Sequence, residues 1–349
     1  RISCLCIVVN VFILFADSYC MKATAVANAN IALVKYWGKR NKELILPYNS
    51  SVSMTCDGLW TKTTVEFSPQ HKNDTIIIND EELKKDEKDI MGHIERIRKL
   101  AGITEKAKII SESNFPVAAG LASSASGLAA LTLAATKAAG LILSERELTI
   151  LARQGSGSAC RSLCEGFAEW KKGTKEDGSD SYAETIAKKD HWPEFRMLAC
   201  IVSEAKKRTG SRAGMAQTVA TSPYYDGWLK TIENDIEAMK KAIHVKDFTA
   251  VGTLAEHNAL KLHAIMHTTK PSIIYWEPAT VDIMHHIMAW RDESLEAYFT
   301  MDAGPQVKVL CLEKDRAELG KRLNSLDSVI RTVVCKPGDA AKIVNDHLF

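Results

Sequence analysis

The segment that most limits what this chain can fold into runs from Asn114 to Gly127, reading Asn-Phe-Pro-Val-Ala-Ala-Gly-Leu-Ala-Ser-Ser-Ala-Ser-Gly. It passes directly into a Leu/Ala-rich run, Leu128 to Ala139. Small residues crowd the turn and the run after it favours helix, so the junction reads as a loop feeding a helix N-terminus. Such a terminus offers unpaired N–H groups and the positive end of the helix dipole, and without bulky Cβ atoms a phosphate can approach the backbone. The same residues also suit a close helix packing contact with a serine N-cap. No Gly-Lys-Ser/Thr follows, so the turn is not a Walker A loop.

A turn of this kind needs a scaffold. At 349 residues the chain exceeds the usual single-core limit, and 46% apolar residues suffice for two cores, so two lobes are expected, 21–200 and 201–349. The formal charge of +2 gives no electrostatic reason to expect nucleic acid or a membrane as partner. Nine cysteines, with no Cys-x-x-Cys pair, suggest reduced thiols in a cytoplasmic protein rather than a disulfide framework or zinc ribbon. Residues 1–20 stand apart: Ile2 to Ala16 is almost wholly apolar, too short to span a bilayer but suited to a signal-peptide core. Either this is a secretory signal or it is upstream sequence ahead of a start at Met21. The second is expected, because a soluble-enzyme strand begins at once after Met21.

Taken in order, Lys22 to Lys35 reads as a strand that runs into Tyr36-Trp37-Gly38-Lys39-Arg40, a loop where Lys35, Lys39 and Arg40 suit anionic oxygens; a solvated basic turn is the plainer alternative. Strands are expected at 49–55, 63–67 and 107–112, and a hairpin arm at 75–80. Ile90, Ile94, Ile97 and Leu100 define one amphipathic helix, and Ser144 with Glu147 a capping box for another. That second helix ends at Gly155-Ser-Gly-Ser158-Ala-Cys-Arg161, a hydroxyl-rich turn closing on a guanidinium. Arg161 suits bidentate capture of a carboxylate or phosphate, or else a structural pairing with Glu165.

Strands follow at 167–171 and 197–203. The basic stretch Lys206, Lys207, Arg208, Ser211, Arg212 then marks the boundary between lobes. Trp228, Ile232, Ile236, Met239 and Ile243 form the buried stripe of a helix, and another helix spans 248–266. His257, His263 and His267 lie along it with no acidic partner at ligand spacing, so no metal site is assigned there. Residues 297–301 make a short strand running into Asp302-Ala-Gly-Pro305, where an aspartate at a strand end is either a catalytic carboxylate or a turn former.

Four of these motifs, in this order, resemble one family. Pro116 with Gly120-Leu121-Ala122-Ser123-Ser124-Ala125 resembles the phosphate loop of the GHMP kinases. Asn30-Ile-Ala-Leu-Val-Lys35-Tyr36-Trp37-Gly-Lys39, the Gly155 to Arg161 segment and Met301-Asp-Ala-Gly-Pro305 are similar to its mevalonate diphosphate decarboxylase branch, over a span from Met21 to the end. The resemblance implies an α+β fold of two lobes with the active site in the cleft between them, and a homodimer. It implies ATP and Mg²⁺ as cofactors and a lyase of isoprenoid synthesis in the mevalonate pathway, forming isopentenyl diphosphate, ADP, phosphate and CO₂ from mevalonate 5-diphosphate. Asp302 is then the catalytic carboxylate beside the substrate 3-hydroxyl, Arg161 binds the substrate carboxylate with Asn30, and Lys35 sits near the reacting centre. Tyr36, Trp37, Lys39, Ser158, Ser211 and Arg212 match pocket positions. Gly120, Leu121, Ala122, Ser123, Ser124, Ala125 and Ser126 match the ATP phosphate cradle. Mg²⁺ is held mainly by the phosphates, with Ser124 as a possible ligand.

Three other activities compete. A decarboxylase of the 5-monophosphate would need the same C3 chemistry, and the cations Lys39, Arg212 and Lys72 suit either substrate. A 3-kinase stopping after phosphorylation is disfavoured by Asp302, Lys35 and Arg161 occurring together. A silent binding homologue would be expected to lack the carboxylate or the loop glycines.

Overall fold

The computed structural model describes residues 21–82, 88–115, 120–205 and 209–349. Residues 1–20, Pro116 and the cations at 206–208 therefore lie outside the described residues. The first half contains β1 (Lys22–Val34), β2 (Lys39–Asn41), β3 (Leu46–Pro47), β4 (Ser51–Ser68), β5 (Thr75–Ile78), β6 (Glu81–Glu82), α1 (Lys88–Ala101), β7 (Lys106–Ser113), α2 (Ser123–Ala138), α3 (Glu145–Gly155), a 3-10 helix over Gly157–Leu163, β8 (Phe167–Trp170) and β9 (Ala183–Ala187). The second half follows with β10 (Phe195–Ile201), α4 (Ser211–Thr221), α5 (Tyr225–Val245), α6 (Phe248–His267), α7 (Pro278–Asp292), β11 (Tyr298–Thr300), β12 (Val307–Leu312), α8 (Glu313–Asn324), β13 (Arg331–Pro337) and β14 (Lys342–Val344). This is an α+β fold.

One twelve-stranded sheet runs through both halves among the described residues, in the order β11-β12-β10-β13-β4-β7-β5-β6, with β1 and β8 also paired to β4, β14 to β1 and β9 to β8. Residue 200, expected as a lobe boundary, falls inside β10, and β13 and β14 return to pair with β4 and β1. The three largest apolar clusters among the described residues follow this layout. Val65, Phe67, Ile94, Ile97 and Leu131 pack one end. Ile283, Ile287, Phe299, Val309 and Leu319 pack the other. Between them Leu33, Val52, Met54, Met197, Leu262 and Tyr298 join residues from both halves.

The helical stripes behave as their spacing requires: Ile94 and Ile97 on α1 and Trp228, Ile232, Ile236, Met239 and Ile243 on α5 are all buried. Ser144 and Glu147 cap α3 reciprocally. The hairpin of β5 and β6 turns on Asn79 and Asp80, both at positive φ, as tight two-residue hairpins demand. The start of α2 differs from expectation. Its N-cap is Ala122 in the left-handed region, with no side-chain cap from any serine. The helix α4 was not anticipated, because its small and polar residues carry little apolar periodicity.

Candidate active site

The site grows from the alternation of β4. Ser51, Ser53 and Thr55 share one face of that strand, and the antiparallel register sets Asn30 of β1 opposite Thr55. This hydroxyl-lined face receives Arg161 from the 3-10 helix. Arg161 Nε donates to Asn30 Oδ1 at 3.1 Å and Ser53 Oγ at 3.0 Å, and Nη1 donates to Ser51 Oγ at 2.6 Å. Asn30 is fixed in turn, donating to Ser158 O at 3.0 Å and Ser162 Oγ at 2.7 Å. The guanidinium is thus buried on neutral oxygens rather than paired with Glu165, and burial lowers its pKa.

Lys35 follows the end of β1 and is 2% exposed. Asn258 of α6 accepts its backbone N–H at 2.8 Å, and Asn49 donates to its carbonyl at 2.8 Å, so the main chain is held from two sides. Its Nζ donates to Ala32 O at 2.6 Å and Asp302 Oδ1 at 2.9 Å. Burial pulls the ammonium pKa down to about 8, with Asp302 acting in the opposite sense. Asp302 lies just beyond β11, 29% exposed at the side chain. Burial pushes its carboxyl up, but Lys35, Lys308 and Arg161 outweigh this and hold it at about 2.

Two residues given no role at this site from the sequence complete this corner. Lys308, inside apolar β12 and fully buried, places Nζ 3.8 Å from Asp302 Oδ2 and donates to Gly120 O at 2.7 Å. Its signal was a lysine interrupting Val307-Lys-Val-Leu-Cys, a run otherwise apolar. His263 of α6 lies 2.9 Å from Asp302 O through Nε2. A carbonyl only accepts, so Nε2 carries the proton, and burial lowers the imidazole pKa to about 3, leaving the ring neutral.

The phosphate turn abuts the Asp302 loop. Gly120 has φ +91°, and a Cβ there would overlap Gly304 O. Leu121 is core, whereas Ser124 is exposed at the first turn of α2. The amides of Ala125 and Ser126 already donate to Ala122 O, and Ser126 Oγ bonds Thr61 on β4 at 2.8 Å. The expected cradle over Gly120–Ser126 therefore narrows to Gly120–Ser124. Main-chain amides and serine hydroxyls there suit phosphate oxygens, and they suit a magnesium ion that arrives on the nucleotide. Among the described residues no cluster of three or more His, Cys, Asp or Glu could hold a metal.

The other expected residues fall into three groups. Tyr36 is buried against Trp170 at 4.6 Å between ring centroids, its hydroxyl without a hydrogen-bond partner among the described residues. Lys39 is half-buried, and burial followed by Arg212 and Lys42 lowers its pKa to about 8. Ser211 and Arg212 open α4, with Arg212 Nη2 donating to Gly155 O at 2.9 Å beside the turn that carries Arg161. Trp37 is core, and its indole N–H donates to Thr218 of α4 at 3.0 Å. Ser158 meets the site through its carbonyl. Arg40, expected to hold anions, donates instead to Lys172 O and Gly173 O. Lys72 is exposed beyond the far end of β4, eighteen residues long, whose first residue touches Arg161; it has no place in the pocket.

This geometry matches known proteins over nearly its whole length. Residues 27–183 match the family model for the diphosphomevalonate decarboxylase-like N-terminal domain, and residues 197–338 that for the mevalonate 5-diphosphate decarboxylase C-terminal domain. Diphosphomevalonate decarboxylase from Candida albicans is 40% identical over 301 residues, 82% of this chain and 83% of that one. The solved mevalonate diphosphate decarboxylase from Enterococcus faecalis superposes with a TM-score of 0.86 at 40% identity, covering 93% of this chain and 99% of that one. MDDEF in complex with MVAPP, AMPPCP and magnesium gives a TM-score of 0.87 at 40% identity, with the same coverage.

Proposed function

The chain belongs to the diphosphomevalonate decarboxylase family, and from that premise we propose that it converts mevalonate 5-diphosphate and ATP to isopentenyl diphosphate, ADP, phosphate and CO₂. The observation that carries this reading is an excess of buried cations. Lys35, Lys308 and Arg161, all buried, surround one carboxylate, Asp302. An uncompensated buried charge of this kind favours a multiply anionic ligand, and a substrate with a carboxylate at one end and a diphosphate at the other supplies one.

In this reading Asp302 accepts a hydrogen bond from the substrate 3-hydroxyl, orients it toward the γ-phosphoryl group and takes its proton late, as the new oxygen–phosphorus bond forms and the bond to ADP breaks. A carboxylate held at about 2 is a weak base. That suits phosphoryl transfer through a loose transition state, which depends more on positioning than on early proton removal. Phosphorylation makes the tertiary hydroxyl a competent leaving group. As phosphate departs, positive character at C3 draws the electrons of the neighbouring carboxylate, and CO₂ leaves. Arg161, held by Asn30, Ser51 and Ser53, orients that carboxylate. Lys35 balances Asp302 beforehand and the departing phosphate afterwards. Lys39, Ser211 and Arg212 take the distal phosphates, with Tyr36, Trp37 and Ser158 shaping the wall. The Gly120–Ser124 turn takes the nucleotide phosphates. Magnesium, when bound with the nucleotide, neutralises phosphate charge, and Ser124 is the residue that would share in holding it.

We also infer a cytoplasmic homodimer. The six cysteines among the described residues are buried as free thiols, in keeping with a reducing compartment, and light scattering tests the dimer. Among the described residues no helix is long and apolar enough to cross a membrane. The deciding assay supplies purified protein with ATP, Mg²⁺ and either mevalonate 5-diphosphate or the 5-monophosphate and follows CO₂. Release with the diphosphate is expected; faster turnover of the monophosphate would displace the named substrate.

A further inference from the structure

We propose that Lys308 is a positioning residue that fixes the distance between Asp302 and the nucleotide turn, an inference that rests on the role given to Asp302 above. Lys308 Nζ meets both parts of the site at once. It donates to Gly120 O at 2.7 Å and to Gln306 O at 3.2 Å, and lies 3.8 Å from Asp302 Oδ2, while Lys35 holds Oδ1 at 2.9 Å. The carboxylate is therefore hydrogen-bonded by Lys35 through Oδ1 and faces the Lys308 ammonium, as a longer ion pair, through Oδ2. Gly120 also approaches Gly304 closely enough that a Cβ at Gly120 would overlap Gly304 O.

Stability alone is a poor account of this lysine. It occupies an interior position of β12 between Val307 and Val309, fully buried, where an apolar residue would avoid the desolvation of a charge. What the charge adds is a single rigid link across the gap over which a phosphoryl group must travel. Misplacement of reacting groups by as little as an ångström is costly in rate.

The test is a double-mutant cycle in the full-length protein. Lys308→Met is expected to lower kcat by roughly 10- to 100-fold, while KM for mevalonate diphosphate stays within about threefold, as for an interaction felt in the transition state. If Lys308 acts through Asp302, the Lys308→Met, Asp302→Asn double variant will be no slower than Asp302→Asn alone. Losses that multiply, or an effect confined to KM, would overturn the proposal. Lys308→Gln keeps an amide donor for Gly120 O without the charge and runs the same cycle if the methionine variant is unstable. Failure of both to fold would assign Lys308 to the fold alone. A fully active Asp302→Asn enzyme would instead remove the reading of Asp302, and the role of Lys308 with it.

Discussion

Around Asp302 and Arg161 the candidate site is made of charged side chains whose ends are already engaged, whereas at Gly120–Ser124 it is made of main chain and small hydroxyls. The first region is cross-linked over long sequence distances: Arg161 reaches 108 to 131 residues back to Ser53, Ser51 and Asn30, and Lys35 reaches 267 residues forward to Asp302. The second rests on backbone shape, with φ +91° at Gly120 and φ +58° at Ala122. The contrast separates two kinds of preorganisation. A network of side chains fixes charge and direction and should fail by losing rate. A strained turn fixes the position of amides and should fail by losing affinity for the group it cradles.

Asp302→Asn is the largest expected break on the side-chain half, lowering kcat by about 10²- to 10⁴-fold with the fold intact, since it removes the negative charge that orients the reacting hydroxyl and receives its proton. Steady-state rates beside a thermal melt check it; near-normal turnover would take Asp302 out of the mechanism. Arg161→Lys keeps the charge but loses the planar fork that meets Asn30, Ser53 and Ser51 together. A loss of about 10²-fold in kcat/KM for mevalonate diphosphate is expected, with KM for ATP unchanged. Equal losses toward both substrates would erase the distinction between the two regions.

The same contrast accounts for what could be read from the chain. Asn30, Lys35, Arg161 and Asp302 were legible because each stands in a short motif of unusual composition, and the turn at Gly120 because its small residues precede a clear helix. Ser51 and Ser53 were assigned to a strand without a role, since two serines in a strand mean nothing until Arg161 folds onto them. Lys308 and His263 were hidden for a related reason: a lysine in β12 and a histidine on α6 acquire meaning only when β11 brings Asp302 between them. The return of β13 and β14 to pair with the first half was not legible, because strand pairing at that separation leaves no local pattern.

On the backbone half, Gly120→Ala places a Cβ against Gly304 O at a φ that suits glycine. A strain of about 1–3 kcal/mol is expected, felt as roughly a tenfold rise in KM for ATP, with a smaller change in KM for mevalonate diphosphate. Isothermal titration with a non-hydrolysable ATP analogue reads the nucleotide term directly. A larger loss toward mevalonate diphosphate than toward the nucleotide would mean that the turn serves the wrong partner.

The mildest test uses pH, because only the side-chain half titrates near neutrality. Lys35 and Lys39 are both lowered to about 8 from 10.5, chiefly by burial. Between those values the unfolded chain binds more protons than the folded one, so stability should rise with pH across that window, the burial penalty being fully present below about 8. Substrate affinity moves the other way, since an anion needs the charged lysines. If one lysine with pKa about 8 must be protonated, kcat/KM for mevalonate diphosphate falls about fourfold between pH 7 and 8.5. An anion seated on these ammonium groups raises their pKa, so the corresponding fall in kcat, which reports the loaded enzyme, should lie at higher pH. Asp302, at about 2, stays ionised throughout. Gly120–Ser124 contains no titratable side chain, so KM for ATP should stay flat over the same range. A parallel rise in KM for both substrates would show that the nucleotide, too, is held by lysine charge, and the division between a side-chain site and a backbone site would not stand.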